Sequence, residues 1–443
     1  MEISPKTTKI AVCGLGYVGL PVALLLAKAG FKITGIDRDK VKVQKINRGR
    51  VTIEGKEPGL RELMKVIHHR GNFQATTDPS VYKSTDIILV AVETPVEDNH
   101  EPAYEALKSA LADIGKYLKK GALVIIESTI APKTMADIVQ PILEKESGLL
   151  VNKEYFLANC PERVMPGHLL ENITYYNRVV GGMDPQAGKL AKSLYKYIVK
   201  GDIEITDCVT TEITKAGENA YRDVQIAFAN ELALLCEAMG ADVWQVRRLI
   251  NNCKRVGDTR IEALRNVHLP GAGVGGHCIP KDSWLLVYGA KGLIDPKLIP
   301  LAREINNFMP KHTYHLLKDA FKETGKEIAK KKIVILGYAY DADSDDSRNT
   351  PTKPLIKLLE KTDAHIVVHD SYIKEYKTDL KKALKSAQAL ILMAAHDEYR
   401  NINLSKLRKL MRPAKPIIID GRNCFSKEKA EKLGFVYRGI GNI

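Results

Sequence analysis

The chain has 443 residues, of which 45% are hydrophobic and 27% charged, ordinary values for a globular protein of two or three domains. It contains no stretch of 18 consecutive apolar residues, and its N-terminal segment lacks the residue order of a signal peptide, so we expect a cytoplasmic protein without a membrane span. The net charge of +14 predicts attraction to anions, which include nucleic acid, anionic lipid and phosphorylated metabolites.

The seven cysteines are scattered along the chain, odd in number, and form no C-x-x-C pair. This distribution argues against a disulfide scaffold and against a zinc site, and we predict no metal site. For each cysteine the default interpretation is a small buried hydrophobic side chain.

The first predicted elements are a strand at Lys9–Cys13, a glycine turn, an apolar helix, and a second strand at Lys32–Ile36 that ends in Asp37. Further strands are predicted within 86–95 and 122–130, where short β-branched runs end in polar residues. Strands that alternate with helical segments predict parallel βαβ units.

The last third of the chain repeats this layout. The segment 332–340 predicts a strand followed by a glycine turn, and further strands are predicted within 364–372, 389–399 and 416–423. We therefore predict the α/β class, with two doubly wound Rossmann-like domains joined by a long central helix and a helical region.

The middle of the chain is predicted to be helical. One proline-free segment of roughly thirty residues begins at "TEITKAGEN" and would form a helix about 45 Å long. Such a helix could span both flanking domains or pack against the same helix of a second subunit. The predicted domains are 1–207, 208–312 and 313–443.

The segment "GLGYVG" at 14–19 matches the G-x-G-x-x-G pattern directly after a strand and before a helix, which is where a dinucleotide-binding fold requires it. Gly14 allows the tight turn, Gly16 lets the backbone approach a pyrophosphate, and Gly19 lets the helix pack on the sheet. The helix N-terminus would offer N–H groups and a positive dipole end to the phosphates. A glycine turn without a ligand is the alternative.

The end of the second strand predicts which dinucleotide binds. Asp37 would bind the ribose hydroxyls and repel a 2′-phosphate, which favours NAD, although Arg38 beside it leaves NADP open. The predicted cofactor-binding residues are Gly14, Gly16, Tyr17, Val18, Gly19, Asp37, Arg38, Thr94 and Thr129. The C-terminal segment "GYAYDAD" lacks two of the three glycines, so the last domain is expected to hold a different ligand.

Two groups in the middle of the chain are candidates for chemistry. Lys215 and Asn219 share one helix face and either point to solvent or stabilise a developing oxyanion. Cys278 follows five glycines or prolines and is flanked by His277, Lys281 and Asp282. Nearby positive charge would lower the pKa of this thiol, which favours a nucleophile over a packing residue.

A nicotinamide cofactor and a cysteine nucleophile together predict a specific chemistry. Hydride transfer produces an aldehyde, the thiolate adds to it, and a second hydride transfer leaves a thioester that water hydrolyses. The net reaction converts an alcohol to an acid without releasing the aldehyde.

With these motifs the chain resembles, over nearly its full length, the UDP-glucose/GDP-mannose dehydrogenase family. The resemblance implies an N-terminal NAD domain, a central helix that usually forms a dimer, and a C-terminal UDP-binding domain. The segments that carry it are "GLGYVGLPVA", "EST" at 127–129, "CPERVMPG" at 160–167, "TEITKAGEN" at 211–219, "GVGGHCIPKD" at 273–282, "DDSRNTP" at 345–351 and "DGRN" at 420–423.

The resemblance also implies roles for individual residues. Cys278 matches the nucleophile, Lys215 and Asn219 match the pair that steadies the oxyanions, and Thr129 and Asp282 match residues that hold or activate the hydrolytic water. These roles are expectations from the motif positions.

A second group of implied residues concerns the sugar. Glu162 matches a carboxylate suited to general acid–base chemistry. Which of Glu162 and Asp282 acts as the acid and which as the base is left open. Arg260 is similar to an arginine that reaches the neighbouring subunit's substrate, and Arg348 to a substrate contact from the third domain. The remaining predicted substrate-binding residues are Arg163, Val164 and His277.

The sequence features "CPERVMPG", "NRVVGG" and "GGHC" are similar to the branch of the family that oxidises UDP-N-acetylmannosamine; UDP-N-acetylglucosamine and UDP-glucose are the alternatives. The implied assembly is a homodimer or homotetramer, with no nucleic acid or membrane partner. Glu93 departs from the family pattern and is interpreted as a solvent-facing residue at a strand end. Regulation through oxidation of Cys160 is left open.

Two other classes of function remain as alternatives. One is a two-electron dehydrogenase or epimerase in which Cys278 only packs. The other is a nucleotide- or nucleic-acid-binding regulator suggested by the charge, although neither a helix-turn-helix nor an aromatic-interleaved basic stretch supports it.

Overall fold

The computed structural model describes residues 2–53, 55, 57–252, 266–411 and 413–442. The chain divides into two compact units that each take two segments of the sequence. The first unit comprises residues 1–218 and 284–295, and the second comprises residues 219–283 and 296–443.

The sheet of the first unit has the strand order β3-β2-β1-β4-β5-β6-β7-β8, in which only the β6–β7 pair is antiparallel. Its strands are β1 (Lys9–Cys13), β2 (Lys32–Ile36), β3 (Phe73–Thr76), β4 (Ile87–Val90), β5 (Leu123–Ile126), β6 (Phe156–Asn159), β7 (Arg178–Gly182) and β8 (Ile203–Asp207).

The connections between these strands are helical. The helices are α1 (Gly19–Lys28), α2 (Lys40–Asn47), α3 (Leu60–Arg70), α4 (Glu105–Tyr117), α5 (Gln140–Ser147), α6 (Leu169–Tyr175) and α7 (Pro185–Tyr195). Short 3₁₀ and π segments add Pro79–Ser84 and Met135–Val139.

Both faces of this sheet are buried at its centre, because apolar side chains of the central strands β1, β4 and β5 alternate between two core clusters. On β1, Ile10 and Val12 belong to one cluster, while Ala11 and Cys13 belong to the other. Strands β4 and β5 are buried along their whole length. Near-continuous apolar strands of this kind are characteristic of parallel sheets covered by helices on both faces.

One helix, α8 (Cys208–Met239), continues from the first unit into the second. Its 32 residues correspond to about 48 Å of helix. Helices α9 (Val243–Asn251), α10 (Ile279–Gly289) and α11 (Leu298–Glu323) complete the helical middle of the chain. Arg260 lies outside the described residues.

The second unit has a sheet of strand order β10-β9-β11-β12-β13 in which every pair is parallel. Its strands are β9 (Lys332–Leu336), β10 (His365–His369), β11 (Ala389–Leu392), β12 (Ile417–Asp420) and β13 (Val436–Gly439). The helices are α12 (Thr352–Leu359), α13 (Leu380–Leu384), α14 (Asp397–Arg400), α15 (Leu404–Met411) and α16 (Lys427–Lys432), with short 3₁₀ turns at Glu360–Thr362 and Lys374–Tyr376.

The predicted fold class is confirmed. Two doubly wound α/β sheets and a long connecting helix are present, and the first two predicted strands coincide with β1 and β2. The sequence interpretation did not include helix α10, which begins directly after Cys278. None of the helices built from described residues combines the length and the apolar character needed to cross a membrane.

Candidate active site

The glycine loop after β1 has the form that a dinucleotide pyrophosphate requires. Gly14 has a φ of 89°, and a Cβ there or at Gly19 would collide with backbone carbonyl groups. A Cβ at Gly16 would meet no atom of the described residues within 4 Å, so the backbone is open to a ligand at that position. No side chain in the described part of the chain caps the N-terminus of α1. These residues therefore fit NAD.

Asp37 lies at the end of β2 and holds the glycine loop in place. Its Oδ2 accepts a hydrogen bond from the backbone N–H of Leu15 at 3.0 Å, and its Oδ1 accepts one from that of Asp39 at 3.0 Å. The ammonium group of Lys42 lies 2.9 Å from Oδ2. Arg38 is exposed beside this carboxylate.

Residues after β4 and β5 come together at the carboxyl edge of the sheet, where open α/β sheets bind their ligands. The hydroxyl of buried Thr94 donates to the carbonyl of Thr129 at 2.6 Å, and the hydroxyl of Ser128 donates to the carbonyl of Val92 at 2.7 Å. Glu93 is exposed, as its interpretation as a strand-end residue predicted.

Glu162 belongs to a buried polar cluster that the sequence interpretation did not identify. The guanidinium of Arg178 pairs with Glu162, lies 3.7 Å from the sulfur of Cys160, and stacks 4.5 Å from the ring centroid of Tyr195. The Tyr195 hydroxyl donates to Glu127 at 2.6 Å. Glu162 therefore pairs directly with the arginine, whereas Glu127 joins the cluster through the Tyr195 hydroxyl.

Burial and neighbouring charges change the pKa values of two groups in this cluster. Burial raises the pKa of Glu127 to about 7, against the opposing effect of Arg178 and with a further increase from Glu162. Burial likewise raises the pKa of Cys160 to about 11, so this thiol is poorly suited to redox regulation, which requires a thiolate.

Lys215 is buried on α8 and lines a shallow recess in the first unit. The guanidinium of Arg163 lies at the same recess and pairs with Glu218, its Nε donating at 3.0 Å. The residues that line the recess are Pro161, Arg163, Val179, Thr211, Thr214 and Lys215. Val164, next in sequence, is half-buried.

In the second unit, Cys278 is exposed and stands immediately before α10. Its carbonyl oxygen accepts from the backbone N–H groups of Lys281 at 3.1 Å and Asp282 at 2.8 Å, which closes the first turn of the helix. A thiol at a helix N-terminus lies in a positive potential that favours the thiolate. The fold therefore provides an activating feature beyond the neighbouring charges.

Asp282 is fully buried and bound on both sides. Its Oδ2 accepts from the amide of Asn219 at 2.5 Å, and its Oδ1 lies 2.8 Å from the ammonium of Lys281. Asn219 is one helical turn after Lys215 on α8. The predicted Asn219 and Asp282 are therefore in direct contact within the second unit.

His277 and Arg348 flank the same loop. Burial, reinforced by the charges of Lys281 and Arg348, lowers the pKa of His277 to about 4, so this imidazole is neutral at pH 7. Arg348 pairs its guanidinium with Asp346, and its carbonyl accepts from the N–H of Gly276 at 2.9 Å.

The glycines before Cys278 are required by close packing. A Cβ at Gly276, where φ is 89°, would lie 2.9 Å from the ring of Tyr340, and one at Gly273 would lie 2.7 Å from Pro351. The "DGRN" segment also contacts this loop, since Arg422 donates to the carbonyl of Gly273 at 3.5 Å.

Among the described residues, no group of three or more histidine, cysteine, aspartate or glutamate side chains is arranged to hold a metal ion. Glu127, Arg178 and Tyr195, which join Glu162 in its buried cluster, are the residues for which the sequence predicted no role. Arg178 could have been suspected because a single arginine begins the apolar strand "RVVGG". Tyr195 offers no such signal, because its partner is distant in sequence.

Comparison with known proteins identifies the family. Residues 8–199, 209–308 and 334–427 match, in turn, the NAD binding, central and UDP binding domains of the UDP-glucose/GDP-mannose dehydrogenase family. The UDP-N-acetyl-D-mannosamine dehydrogenase of Pyrococcus horikoshii is 36% identical over 433 residues, which cover 98% of this chain and 99% of that protein.

Solved structures agree over the same length. The UDP-D-ManNAc dehydrogenase structure from Pyrococcus horikoshii superposes with a TM-score of 0.90 at 35% identity, covering 98% of this chain and 99% of that one. The crystal structure of NDP-N-acetyl-D-galactosaminuronic acid dehydrogenase from Methanosarcina mazei Go1 gives 0.87 at 40% identity, covering 98% and 95%. The chain therefore belongs to the UDP-glucose/GDP-mannose dehydrogenase family, as an NAD-dependent nucleotide-sugar dehydrogenase with a UDP-binding domain.

Proposed function

We propose that the protein oxidises the C6 hydroxymethyl group of UDP-N-acetyl-D-mannosamine to the carboxylate through a covalent intermediate on Cys278. The observation that carries the covalent mechanism is an exposed cysteine at the N-terminus of α10 with Asp282 and Asn219 in contact one turn later. The Pyrococcus horikoshii relative, which bears that substrate in its name, supports the choice of sugar.

The cofactor would be held by the glycine loop at 14–19 and by Asp37, with Thr94 and Thr129 at the carboxyl edge of the sheet. Bound NAD supplies the hydride acceptor, and two molecules are consumed for each sugar. Asp37 and Lys42 form an ion pair that the ribose hydroxyls would join or displace.

In the first step C6 loses a hydride and its hydroxyl group loses a proton, which converts the alcohol to the aldehyde. The Cys278 thiolate forms a C–S bond to the C6 aldehyde, and the carbonyl electron pair becomes an oxyanion that takes up a proton. Loss of a hydride and of that proton leaves a thioester. Water then forms the new C–O bond, the C–S bond breaks, and the thiolate and a carboxylate remain with release of protons. Lys215 and Asn219 would stabilise each oxyanion by charge and hydrogen bonding.

Glu162 and Asp282 are the two carboxylates proposed to handle protons. Arg178 is paired with Glu162, and Lys281 and Asn219 contact Asp282, so each carboxylate is held in a fixed position by its partners. We assign general base chemistry in thioester hydrolysis to this pair, with Thr129 as a ligand of the attacking water.

The proposed assembly is a homodimer formed through α8, with a homotetramer as the larger alternative. This helix exposes a row of large apolar side chains spaced by four, seven or eight residues, which one face of a helix would bring together. Its members are Val209, Ile213, Tyr221, Phe228, Leu235 and Met239, between 37% and 72% exposed. Arg260 is proposed to reach the neighbouring subunit's substrate. A cytoplasmic location is proposed because Cys278 needs a reducing compartment.

A second candidate substrate is a nucleotide-linked N-acetylgalactosamine. It is favoured by the 40% identity to the Methanosarcina mazei structure, whose title names N-acetyl-D-galactosaminuronic acid. UDP-N-acetylglucosamine and UDP-glucose are the remaining alternatives from the sequence motifs.

The test is the yield of NADH from a limiting amount of each UDP-sugar: N-acetylmannosamine, N-acetylgalactosamine, N-acetylglucosamine and glucose. Two NADH for each N-acetylmannosamine derivative, and little from the others, is the expected result. Two NADH from another sugar would retain the mechanism and change the substrate.

The matched variant is Cys278→Ala, with Cys424→Ala as the control because Cys424 is the other described cysteine that is not buried. Cys278→Ala is expected to abolish formation of the acid while NAD binding is retained. Turnover close to that of the wild type in Cys278→Ala would disprove the covalent route.

A further inference from the structure

A cluster of buried polar side chains from α8, α10 and α11 contacts both ends of the segment that carries Cys278. All of its members belong to the second unit. Asp223 is its centre, and no member is more than 1% exposed. The cluster comprises Asp223 and Asn230 on α8, Ser283 on α10, and Arg303 and Asn306 on α11. These residues are separate from the proposed catalytic and ligand-binding residues.

The contacts of Asp223 join three helices. Its Oδ1 accepts from Arg303 at 2.7 Å and from the amide of Asn306 at 2.7 Å, and its Oδ2 accepts from the hydroxyl of Ser283 at 2.9 Å. Asn306 also donates to the carbonyl of Asp223 at 3.0 Å. The carboxylate is therefore neutralised and hydrogen-bonded without any contact to water.

The cluster holds both ends of the catalytic segment. At the start, the N–H of Gly271 donates to Asn230 at 2.9 Å, and Asn230 donates in turn to Asn306 at 2.8 Å. At the end, Ser283 binds Asp223. Residues 271–283, which include Cys278 and Asp282, therefore begin and end on one buried network.

The network also continues the row of proposed catalytic residues along α8. Lys215, Asn219 and Asp223 follow one another at intervals of four residues, so they lie on one helix face. Asn219 contacts Asp282, and Asp223 contacts Ser283, the next residue. Residues on two successive turns of α8 thus form hydrogen bonds with two successive residues of α10.

A role in stability alone does not require this chemistry. A buried ion pair gains little over well-packed apolar side chains, because desolvation offsets the attraction between the charges. What a fully satisfied polar network provides is one defined geometry, since its donors and acceptors match in only one arrangement.

We propose that Asp223, Arg303, Ser283, Asn306 and Asn230 are positioning residues that fix the Cys278 thiol at the N-terminus of α10. The inference rests on the proposed role of Cys278 as the nucleophile. Without the network, residues 271–283 would keep their glycine turns but lose the anchor at each end. The thiol would then leave the positive end of the helix, and its position relative to the reacting carbon would change.

The test uses one substitution at each anchor: Ser283→Ala removes the hydroxyl after Cys278, and Asn230→Ala removes the partner of Gly271. Both leave the Asp223–Arg303 pair intact, so both are expected to fold. The control is Thr313→Val, which removes a buried hydroxyl on α11 whose hydrogen bond among the described residues goes to the carbonyl of Met309, within its own helix.

The main readout is the pH dependence of Cys278 alkylation by iodoacetamide, followed by peptide mass spectrometry on the substrate-free protein. Both anchor variants are expected to raise the midpoint by about half a pH unit or more, toward the ordinary thiol value of about 8.5. Turnover number is expected to fall about tenfold or more with KM for NAD unchanged, as misplaced catalytic groups produce.

An alkylation midpoint in both anchor variants equal to that of Thr313→Val would overturn the proposal, whatever their activity. Failure of the proposed function looks different: the wild-type protein would then give no second NADH, while its alkylation profile could still depend on the network. Asp223→Asn is a further variant in which both effects should be larger, provided that circular dichroism shows a folded protein.

Discussion

The two sheets of the molecule place an aspartate at the same topological point and use it differently. Asp37 ends β2 and Asp370 follows β10, and each accepts hydrogen bonds from the backbone of the glycine loop after the neighbouring strand. The glycines also correspond: Gly14 donates to the carbonyl of Ile36 at 2.8 Å, and Gly337 donates to that of His369 at 2.9 Å.

The difference lies in what else each carboxylate binds. Asp370 is fully buried and accepts from the N–H groups of Tyr338 and Ala339 and from the ring of His396 at 3.2 Å. Asp37 is 8% exposed, and its additional partner is Lys42, a partly exposed side chain. The same frame therefore leaves its aspartate within reach of a ligand in the first unit, as we propose for NAD at Asp37, and encloses it completely in the second.

The strongest test of the shared frame is alanine at each first glycine. Gly14→Ala and Gly337→Ala should each cost about 2–5 kcal/mol of unfolding free energy, because φ is 89° and 93° and each new Cβ would collide with its surroundings. Gly16→Ala, which meets nothing within 4 Å, should cost less than about 0.5 kcal/mol.

These effects can be measured separately because each unit contains one tryptophan, Trp284 in the first and Trp244 in the second. Each glycine variant is therefore unfolded in urea with one tryptophan replaced by phenylalanine. Fluorescence then reports the first unit in the Trp244→Phe background and the second unit in the Trp284→Phe background. If Gly16→Ala destabilised the first unit as much as Gly14→Ala, the two glycines would not have separate roles.

The next effect concerns two buried carboxyl groups, Glu127 and Asp370, whose pKa values are shifted in opposite directions. The pKa of Glu127 is about 7 in the folded chain against 4.5 as its ordinary value, so its stabilising contribution is full below pH 4.5 and lost as the pH rises to about 7. The change amounts to about 3 kcal/mol. Glu127→Gln should remove it from the first unit, measured by the Trp284 signal in urea between pH 4.5 and 8.

Asp370 should show the reverse dependence. Burial alone would raise the pKa of Asp370, but hydrogen bonds from His396 and Ala339 lower it below its ordinary value. Its contribution is therefore present above the ordinary carboxyl pKa and lost as the pH falls. Asp370→Asn should make the unfolding free energy of the second unit less sensitive to acid. The assignment would be refuted if this free energy fell with pH as steeply in Asp370→Asn as in the wild-type protein.

A smaller effect separates ligand binding from structure. Asp37→Asn should weaken NAD binding about tenfold or more, because a charge-assisted hydrogen bond to ribose is lost, and should cost about 1 kcal/mol of stability because the ion pair with Lys42 is also lost. Asp370→Asn should cost about 2 kcal/mol of stability and leave NAD affinity unchanged. Isothermal titration of both variants with NAD decides whether the two aspartates differ as described.

The smallest effect is expected from Lys42, because its ion pair with Asp37 is partly exposed. Lys42→Met should change stability by less than about 1 kcal/mol. It should also sharpen discrimination against NADP, since a cation that could balance a 2′-phosphate is removed. A ratio of NADP to NAD affinity equal to that of the wild type would show that Lys42 has no part in this choice.

The sequence predicted what depends on local order. Strand, glycine turn, helix and terminal acid follow one another within thirty residues of β1, and their spacing alone identifies the dinucleotide fold. Cys278 and Asn219 stay predictions, made because glycine-rich loops and polar residues on apolar helices are unusual patterns.

Residues whose structural role depends on partners far away in the sequence were not predicted. Arg178 and Glu127 are 51 positions apart, and nothing in either segment indicates that they share a buried cluster. Asp223 and Asn230 continue the polar face of α8, a pattern visible in the sequence, but only the contacts with Ser283 and Arg303 give it meaning.

The division of the chain into units has a consequence for synthesis on the ribosome. The first unit includes residues 284–295, where Gly289 lies against Pro132 so closely that a Cβ would be 2.6 Å from the proline ring. These residues follow Glu218 only after 65 residues that belong to the second unit. At roughly 5–20 residues per second, translation needs several further seconds before the first unit has its last helix. A fragment that stops at residue 218 would represent that incomplete intermediate, which a chaperone would meet with the surface around Pro132 uncovered.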